Sequence, residues 1–160
     1  MEQALTIRPS TQADIAAIDA LLARSYPRLL KRDYPPSVLV TALPLISRAQ
    51  PGLITSGTYF VAEDQYDIVA AGGWTGNRNG SASIRHVVTD HRHLRRGYAT
   101  RLFEHIFDTA RAAGVTILDC MSTRTAEPFY RSVGFEMLGP IELELRPGIT
   151  FPAIRMQLQL

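Results

Sequence analysis

The sequence predicts a mixed α/β (α+β) fold: a mixed sheet with helices on its faces. Segments with period-two apolar alternation and segments with helical apolar spacing follow one another in the order βα(α)ββ, βαβα, ββ. A strand–helix–strand run near the middle of the chain requires at least one parallel strand pair. With 160 residues, 46% of them hydrophobic and 20% charged, the chain is long and apolar enough for one packed domain.

The elements follow in order. "LTIRP" (Leu5 to Pro9) alternates and reads as a short strand stopped by proline. Ser10 and Thr11 are N-cap candidates for a helix whose apolar face carries Ile15, Ile18, Leu21 and Leu22. Prolines 27, 35, 36, 44 and 51 are expected to break the next stretch into short helical pieces. "TYFVAED" and "DIVAAGGWT" form a hairpin around a polar turn at Gln65 and Tyr66. "GNRNGSAS" is a loop, and "SIRHVVTD" a strand rich in β-branched residues.

From Gly97 to about Ala113, Leu102, Phe103, Ile106, Phe107 and Ala110 make one apolar helix face, with Gly114 at the C-terminal cap. "VTILDCMS" reads as a strand buried on both faces. "TAEPFYRSV" is a short helix ended by Gly134, and "FEMLGPIELEL" and "AIRMQLQL" are the closing strands.

Several classes are disfavoured. A formal charge of +2 is too small to argue for nucleic acid. No apolar run approaches the roughly 20 residues that span a bilayer. "MEQALTIRPS" lacks a basic segment followed by an apolar one, so a cytoplasmic protein is expected. The single cysteine, Cys120, has no partner for an internal disulfide and reads as an inert thiol within an apolar strand. His91, His93 and His105 show no shared metal-ligand spacing, and no metal is expected.

"HLRRGYATRL" (His93 to Leu102) holds the parts of an anion site. A helix N-terminus offers unpaired N–H groups and a dipole that favours negative charge. Gly97 lets a ligand approach the backbone, Ala99 and Thr100 stay small, and Arg92, Arg95, Arg96 and Arg101 attract anions. A solvated loop before an ordinary helix satisfies the bare pattern equally well. The chain has no GxxxxGK(S/T) loop and no GxGxxG fingerprint.

The longer segment "VVTDHRHLRRGYATRLFEHIF" resembles the acyl-CoA signature of the GCN5-related N-acetyltransferases (GNAT), Gln/Arg-x-x-Gly-x-Gly/Ala. Here it reads Leu94-Arg95-Arg96-Gly97-Tyr98-Ala99, with Leu94 departing from the pattern. A second block, "STRTAEPFYRSVGF", is similar to the family's NxxAxxFYxxxGF segment. Ala126, Phe129, Tyr130, Gly134 and Phe135 match, and Thr123 replaces the usual asparagine.

The resemblance implies one N-acetyltransferase domain over residues 1–160, with a mostly antiparallel sheet, a central parallel strand pair and helices on both faces. It implies acetyl-CoA as co-substrate and direct transfer to a primary amine of a small molecule or peptide. Backbone N–H groups of Arg95, Arg96, Gly97, Tyr98, Ala99 and Thr100 would take the pyrophosphate. The backbone of Val87, Val88 and Thr89 would pair with the pantetheine arm, and an N–H there would polarise the thioester oxygen. Tyr130 would be the general acid, because a phenol near pKa ~10 is protonated at neutral pH and donates to a thiolate.

His86 is a candidate base on the cofactor strand; a structural or solvent-facing histidine is the alternative. His93, Asp90 and Glu63 are weaker candidates. Tyr26, Asp33, Tyr34 and Trp74 are candidates to line the acceptor pocket, and Arg131 either reaches a CoA phosphate or solvates a helix. Similar folds often form homodimers. The competing function is a non-enzymatic acyl-CoA-binding or sensor module, with a small nucleic-acid-binding domain behind it.

Overall fold

A computed structural model describes residues 5–65 and 67–160. The chain runs β1 (Leu5–Pro9), α1 (Ile15–Leu30), α2 (Pro36–Ile46), α3 (Pro51–Ile54), β2 (Tyr59–Asp64), β3 (Asp67–Gly76), β4 (Ser81–Thr89), α4 (Tyr98–Ala112), β5 (Ile117–Ser122), α5 (Glu127–Ser132), β6 (Glu136–Arg146) and β7 (Ile149–Gln159). The strands form one seven-stranded sheet in the order β1-β2-β3-β4-β5-β7-β6. Every neighbouring pair is antiparallel except β4 and β5, the parallel pair that the α4 crossover requires.

Helices cover both faces because successive strand residues point to opposite sides. On β2, Phe60 and Ala62 join the core under α4, with Leu102, Phe103, Ile106 and Ala110. Their neighbours Tyr59 and Val61 join the opposite core, with Ile18, Leu21 and Leu22 of α1. A third cluster packs Leu30 and Tyr34 against Leu39 and Ala42 of α2 and Phe151 of β7.

Local signals set most boundaries. Thr11 and Asp14 form a capping box ahead of α1. The N–H of Val115 reaches the Ala110 carbonyl at 3.0 Å, closing α4 beside Gly114, whose φ is +83°.

Two expectations change. Pro36 and Pro51 do open helices, but α1 continues through Pro27 to Leu30 and α2 through Pro44 to Ile46. Both interior prolines fall near the C-terminal ends, where one missing N–H bond is outweighed by the packing of the helix face. Strand β5 is not buried on both faces: Leu118, Cys120 and Ser122 are buried, whereas Met121 is 58% exposed. Leu118 and Cys120 face the α4 core, whereas on the other side α1 packs on β3 and β4 and α2 on β7. Gln65 occupies the left-handed region at φ +53° in the expected hairpin turn, and Tyr66 lies outside the described residues.

Candidate active site

Pairing between β4 and β5 is confined to Ser81↔Ile117, Ala82↔Leu118 and Ser83↔Asp119. Beyond that point the strands diverge around a cleft of about 920 Å³, lined on one side by Ile84 through Thr89 and on the other by Cys120 through Thr123. The predicted residues Val87, Val88 and Thr89 all border it, while the Val88 side chain belongs to the α1 core.

A bulge shapes the β4 wall. The β3–β4 register slips between Ala71 and Gly73, and His86 takes a positive φ of +48°. Gly72 leaves room for this wall, since a Cβ on it would stand 2.9 Å from Val87 Cγ2 and push that side chain aside. Two phenols take up the carbonyls of the bulge. Tyr59 donates to the His86 carbonyl at 2.7 Å and Tyr26 to the Val87 carbonyl at 2.9 Å. Burial raises both phenols above their usual pKa, so they remain donors.

The turn after β4 is anchored by Asp90, which is fully buried. Its carboxylate accepts from Arg24 at 3.0 Å and Arg92 at 2.8 Å, and its backbone N–H donates to the Val69 carbonyl at 2.8 Å. Despite burial, these guanidinium bonds hold it well below the usual carboxylate range. Asp90 is therefore an ion-pair anchor and a poor proton acceptor.

Arg95 (φ +63°) and Gly97 (φ +76°) then turn the chain into α4. The first bond of the helix runs from Arg101 N to the Gly97 carbonyl at 3.1 Å, so the preceding N–H groups have no partner within the helix. A Cβ on Gly97 would meet nothing within 4 Å. Arg95, Gly97, Tyr98, Ala99 and Thr100 border the cleft. Arg96 is exposed beside them and its side chain is not part of the lining. Tyr98 donates to Asp64 at 3.0 Å, tying the start of α4 to the end of β2.

Tyr130 stands across the cleft on α5, 5% exposed. Its ring meets Phe103, Phe129 and Phe135 edge-on, with centroids 5.3–5.8 Å apart. Burial, with the neighbouring Cys120 thiol adding to it, holds its hydroxyl well above the usual phenol pKa. Cys120 itself is pushed up to about 12 by burial, consistent with an inert thiol. Thr123, where the family pattern has asparagine, accepts from the Ala126 N–H at 3.1 Å and so still caps this turn.

His86 borders the cleft, and burial together with the adjacent Arg85 charge pushes its imidazole down to about 4. His93 also borders it. Glu63 is paired with Arg8 on a different surface. Among the acceptor-pocket candidates, Tyr26 lines the cleft. Tyr34 instead bridges the Pro152 carbonyl and the Arg124 N–H at 2.7 and 2.8 Å, Asp33 accepts from Thr125 at 2.7 Å, and Trp74 donates to Thr109 at 3.0 Å within the α4 core. These three are outside the lining, because each has a structural partner elsewhere. Arg131 pairs with Glu127 one turn back, away from the cleft.

Sequence reasoning missed the phenol contact of Tyr59, the presence of Arg85 in the cleft wall, and the aliphatic lining residues Leu29, Leu45, Ile46, Leu143 and Leu145. Their contributing elements lie far apart in the chain and leave no local pattern. Among the described residues, no group of three or more His, Cys, Asp or Glu side chains is placed to hold a metal ion. No helix among them is long and apolar enough to cross a membrane.

A strand pair splayed beside a helix that opens on a left-handed glycine, with Tyr130 across from it, leaves an open cleft fit to hold an extended ligand against the sheet. The sequence family described as acetyltransferase (GNAT) domain matches residues 55–137, just over half of the chain. The chain belongs to this family and is an acyltransferase, of the acetyltransferase kind. No curated protein matches its sequence.

Solved structures share the fold at low identity. A GCN5-related N-acetyltransferase from Rhodopseudomonas palustris superposes with a TM-score of 0.80 at 18% identity, covering 100% of this chain and 99% of its own. The PaiA N-acetyltransferase from Thermoplasma acidophilum, solved in complex with coenzyme A, gives 0.78 at 10% identity, covering 98% and 99%. The ribosomal-protein-S18-alanine N-acetyltransferase from Escherichia coli gives 0.69 at 18% identity, covering 98% and 94%.

Proposed function

We propose that residues 1–160 form a single cytoplasmic N-acetyltransferase domain that moves an acetyl group directly from acetyl-CoA to a primary amine. The observation that carries this reading is the continuity of one cleft from the N-terminus of α4, between the parted strands β4 and β5, to Tyr130. The space beside Gly97, where a Cβ would meet nothing, fits a diphosphate, and the N–H groups of residues 95–100 suit its charge. The T. acidophilum neighbour is a coenzyme A complex, which supports the same choice of carrier.

Acetyl-CoA would supply the acetyl thioester. The remaining chemistry falls to this chain. Residues 95–100 would hold the diphosphate through their backbone N–H groups, and Val87, Val88 and Thr89 would offer their backbone to the pantetheine arm. The bulge carbonyls are already engaged by Tyr26 and Tyr59. The strand can therefore present N–H groups toward the reacting carbonyl without adjacent carbonyl oxygens opposing them.

Tyr130 donates its proton to the departing sulfur as the new C–N bond forms and the C–S bond breaks. The surplus proton on nitrogen leaves to solvent, which reprotonates Tyr130. His86, held near 4, is neutral at pH 7 and acts by accepting a hydrogen bond from the incoming amine. It orients the amine in this scheme and does not serve as the base expected from the sequence. Its low basicity requires the amine to reach it already neutral.

Incubating the purified protein with acetyl-CoA and a panel of primary amines, while following free thiol, tests the reading. Thiol release that depends on both acetyl-CoA and an amine is expected. Tight acetyl-CoA binding with no release for any amine would instead mean a binding or sensor module.

A further inference from the structure

We infer that the acceptor is an α-amino acid with an apolar side chain, its carboxylate held by Arg85 and its side chain placed among Leu29, Leu45, Ile46, Leu143 and Leu145. This rests on the acetyltransferase reading above and names the substrate class of the same cleft.

Charge carries the first half. Among the described residues lining the cleft there is no aspartate or glutamate, whereas Arg85, Arg95 and Arg146 are part of the wall. Arg95 belongs to the diphosphate end, beside Gly97. A polyamine or aminoglycoside would bring further ammonium groups into a wall that offers only like charge, and such acceptors need carboxylates. An acceptor bearing its own anion is favoured instead.

Arg85 is the cation placed to receive that anion. It precedes His86 on β4, and its charge is close enough to lower the His86 pKa. Its guanidinium is held on one side by Thr75 Oγ1 at 3.3 Å and Gln50 Oε1 at 3.2 Å. Those two bonds occupy a minority of its five N–H donors, so a carboxylate can bind the rest in the paired geometry that arginine favours.

Shape carries the second half. Leu29 comes from the end of α1, Leu45 and Ile46 from the end of α2, and Leu143 and Leu145 from β6. Ile46, Leu143 and Leu145 pack against one apolar cluster with Leu30 and Phe151, which line the cleft as well. A side chain of leucine or methionine size gains from leaving water there, and a polar one does not. In the transfer itself, the α-amine nitrogen bonds to the acetyl carbon and the C–S bond breaks. The sulfur keeps the electron pair and takes the Tyr130 proton, and the surplus amine proton goes to solvent.

The test measures thiol release by the full chain with acetyl-CoA and five acceptors: L-leucine, L-methionine, L-leucinamide, spermidine and kanamycin. Leucine and methionine should be acetylated. Leucinamide lacks the carboxylate and should fall by at least about tenfold in kcat/KM, with the two polycations lower still. In Arg85→Gln the ratio of leucine to leucinamide should collapse toward one, and Arg85→Lys should restore part of it.

Leucinamide equal to leucine would point to a peptide N-terminus and overturn the inference. So would a preference for spermidine or kanamycin, or no turnover of either amino acid while acetyl-CoA still binds by calorimetry. Failure to bind acetyl-CoA at all would overturn the transferase reading together with this one.

Discussion

The Tyr59 hydroxyl donates to the His86 carbonyl across 2.7 Å, joining β2 to a strand two places over in the sheet. Tyr59 is 1% exposed, so the donor is buried, while its acceptor belongs to a residue that borders the cleft. It supports the residue whose positive φ makes the β4 bulge. Tyr59→Phe keeps the ring and leaves that carbonyl without its partner. A destabilisation of about 1–3 kcal/mol is expected in chemical denaturation. Because the bulge orients the reacting wall, kcat should fall more than KM for acetyl-CoA rises. Unchanged stability and unchanged kcat would show that the bond does not shape the strand.

Tyr130→Phe removes one oxygen from a ring fixed by three aromatic neighbours. The fold and coenzyme affinity should be nearly unchanged, while thiol release slows by about 100-fold or more. Single-turnover kinetics with a true acceptor provides the measurement. A variant as fast as the parent would remove Tyr130 from the role of acid.

Gly97→Glu introduces bulk and negative charge where a diphosphate is expected to lie, at a φ of +76° that L-residues rarely adopt. Acetyl-CoA binding should vanish in calorimetry while circular dichroism stays native. Gly97→Ala, with only the conformational strain of about 1–2 kcal/mol, should weaken binding less. Undiminished affinity in the glutamate variant would place the coenzyme elsewhere.

His86 gives stability a pH dependence whose direction is fixed. Its folded pKa of about 4 lies below its ordinary value of 6.5, so the unfolded chain binds more protons between these limits. The neutral imidazole's contribution is complete above pH 6.5 and is lost as pH falls toward 4. Denaturation midpoints should therefore drop from pH 7 to pH 5. His86→Gln should flatten that slope, and an identical slope in the variant would assign it to other groups.

Much of the fold is legible because its signals are short in range. The α4 face of Leu102, Phe103, Ile106 and Ala110 follows helical spacing, and the strand–helix–strand run compels the β4–β5 parallel pair. The prolines misled because a missing N–H is a local fact, whereas continuation of α1 past Pro27 depends on packing. Strand β5 misled for a similar reason: its apolar run does not reveal that α1 and α2 pack on its neighbours β4 and β7.

The chain's own pattern, without coordinates, carries the element order, the left-handed glycine opening α4 and the phenol of α5, since each depends on neighbours a few positions away. The presence of His86 in the cleft wall, the phenols beneath the bulge, the burial of Asp90 between Arg24 and Arg92, and the meeting of Arg85 and distant aliphatic residues in one lining emerged only in three dimensions. A bulge interrupts the period-two rule that assigns strand faces, and contacts between distant segments have no periodicity to read.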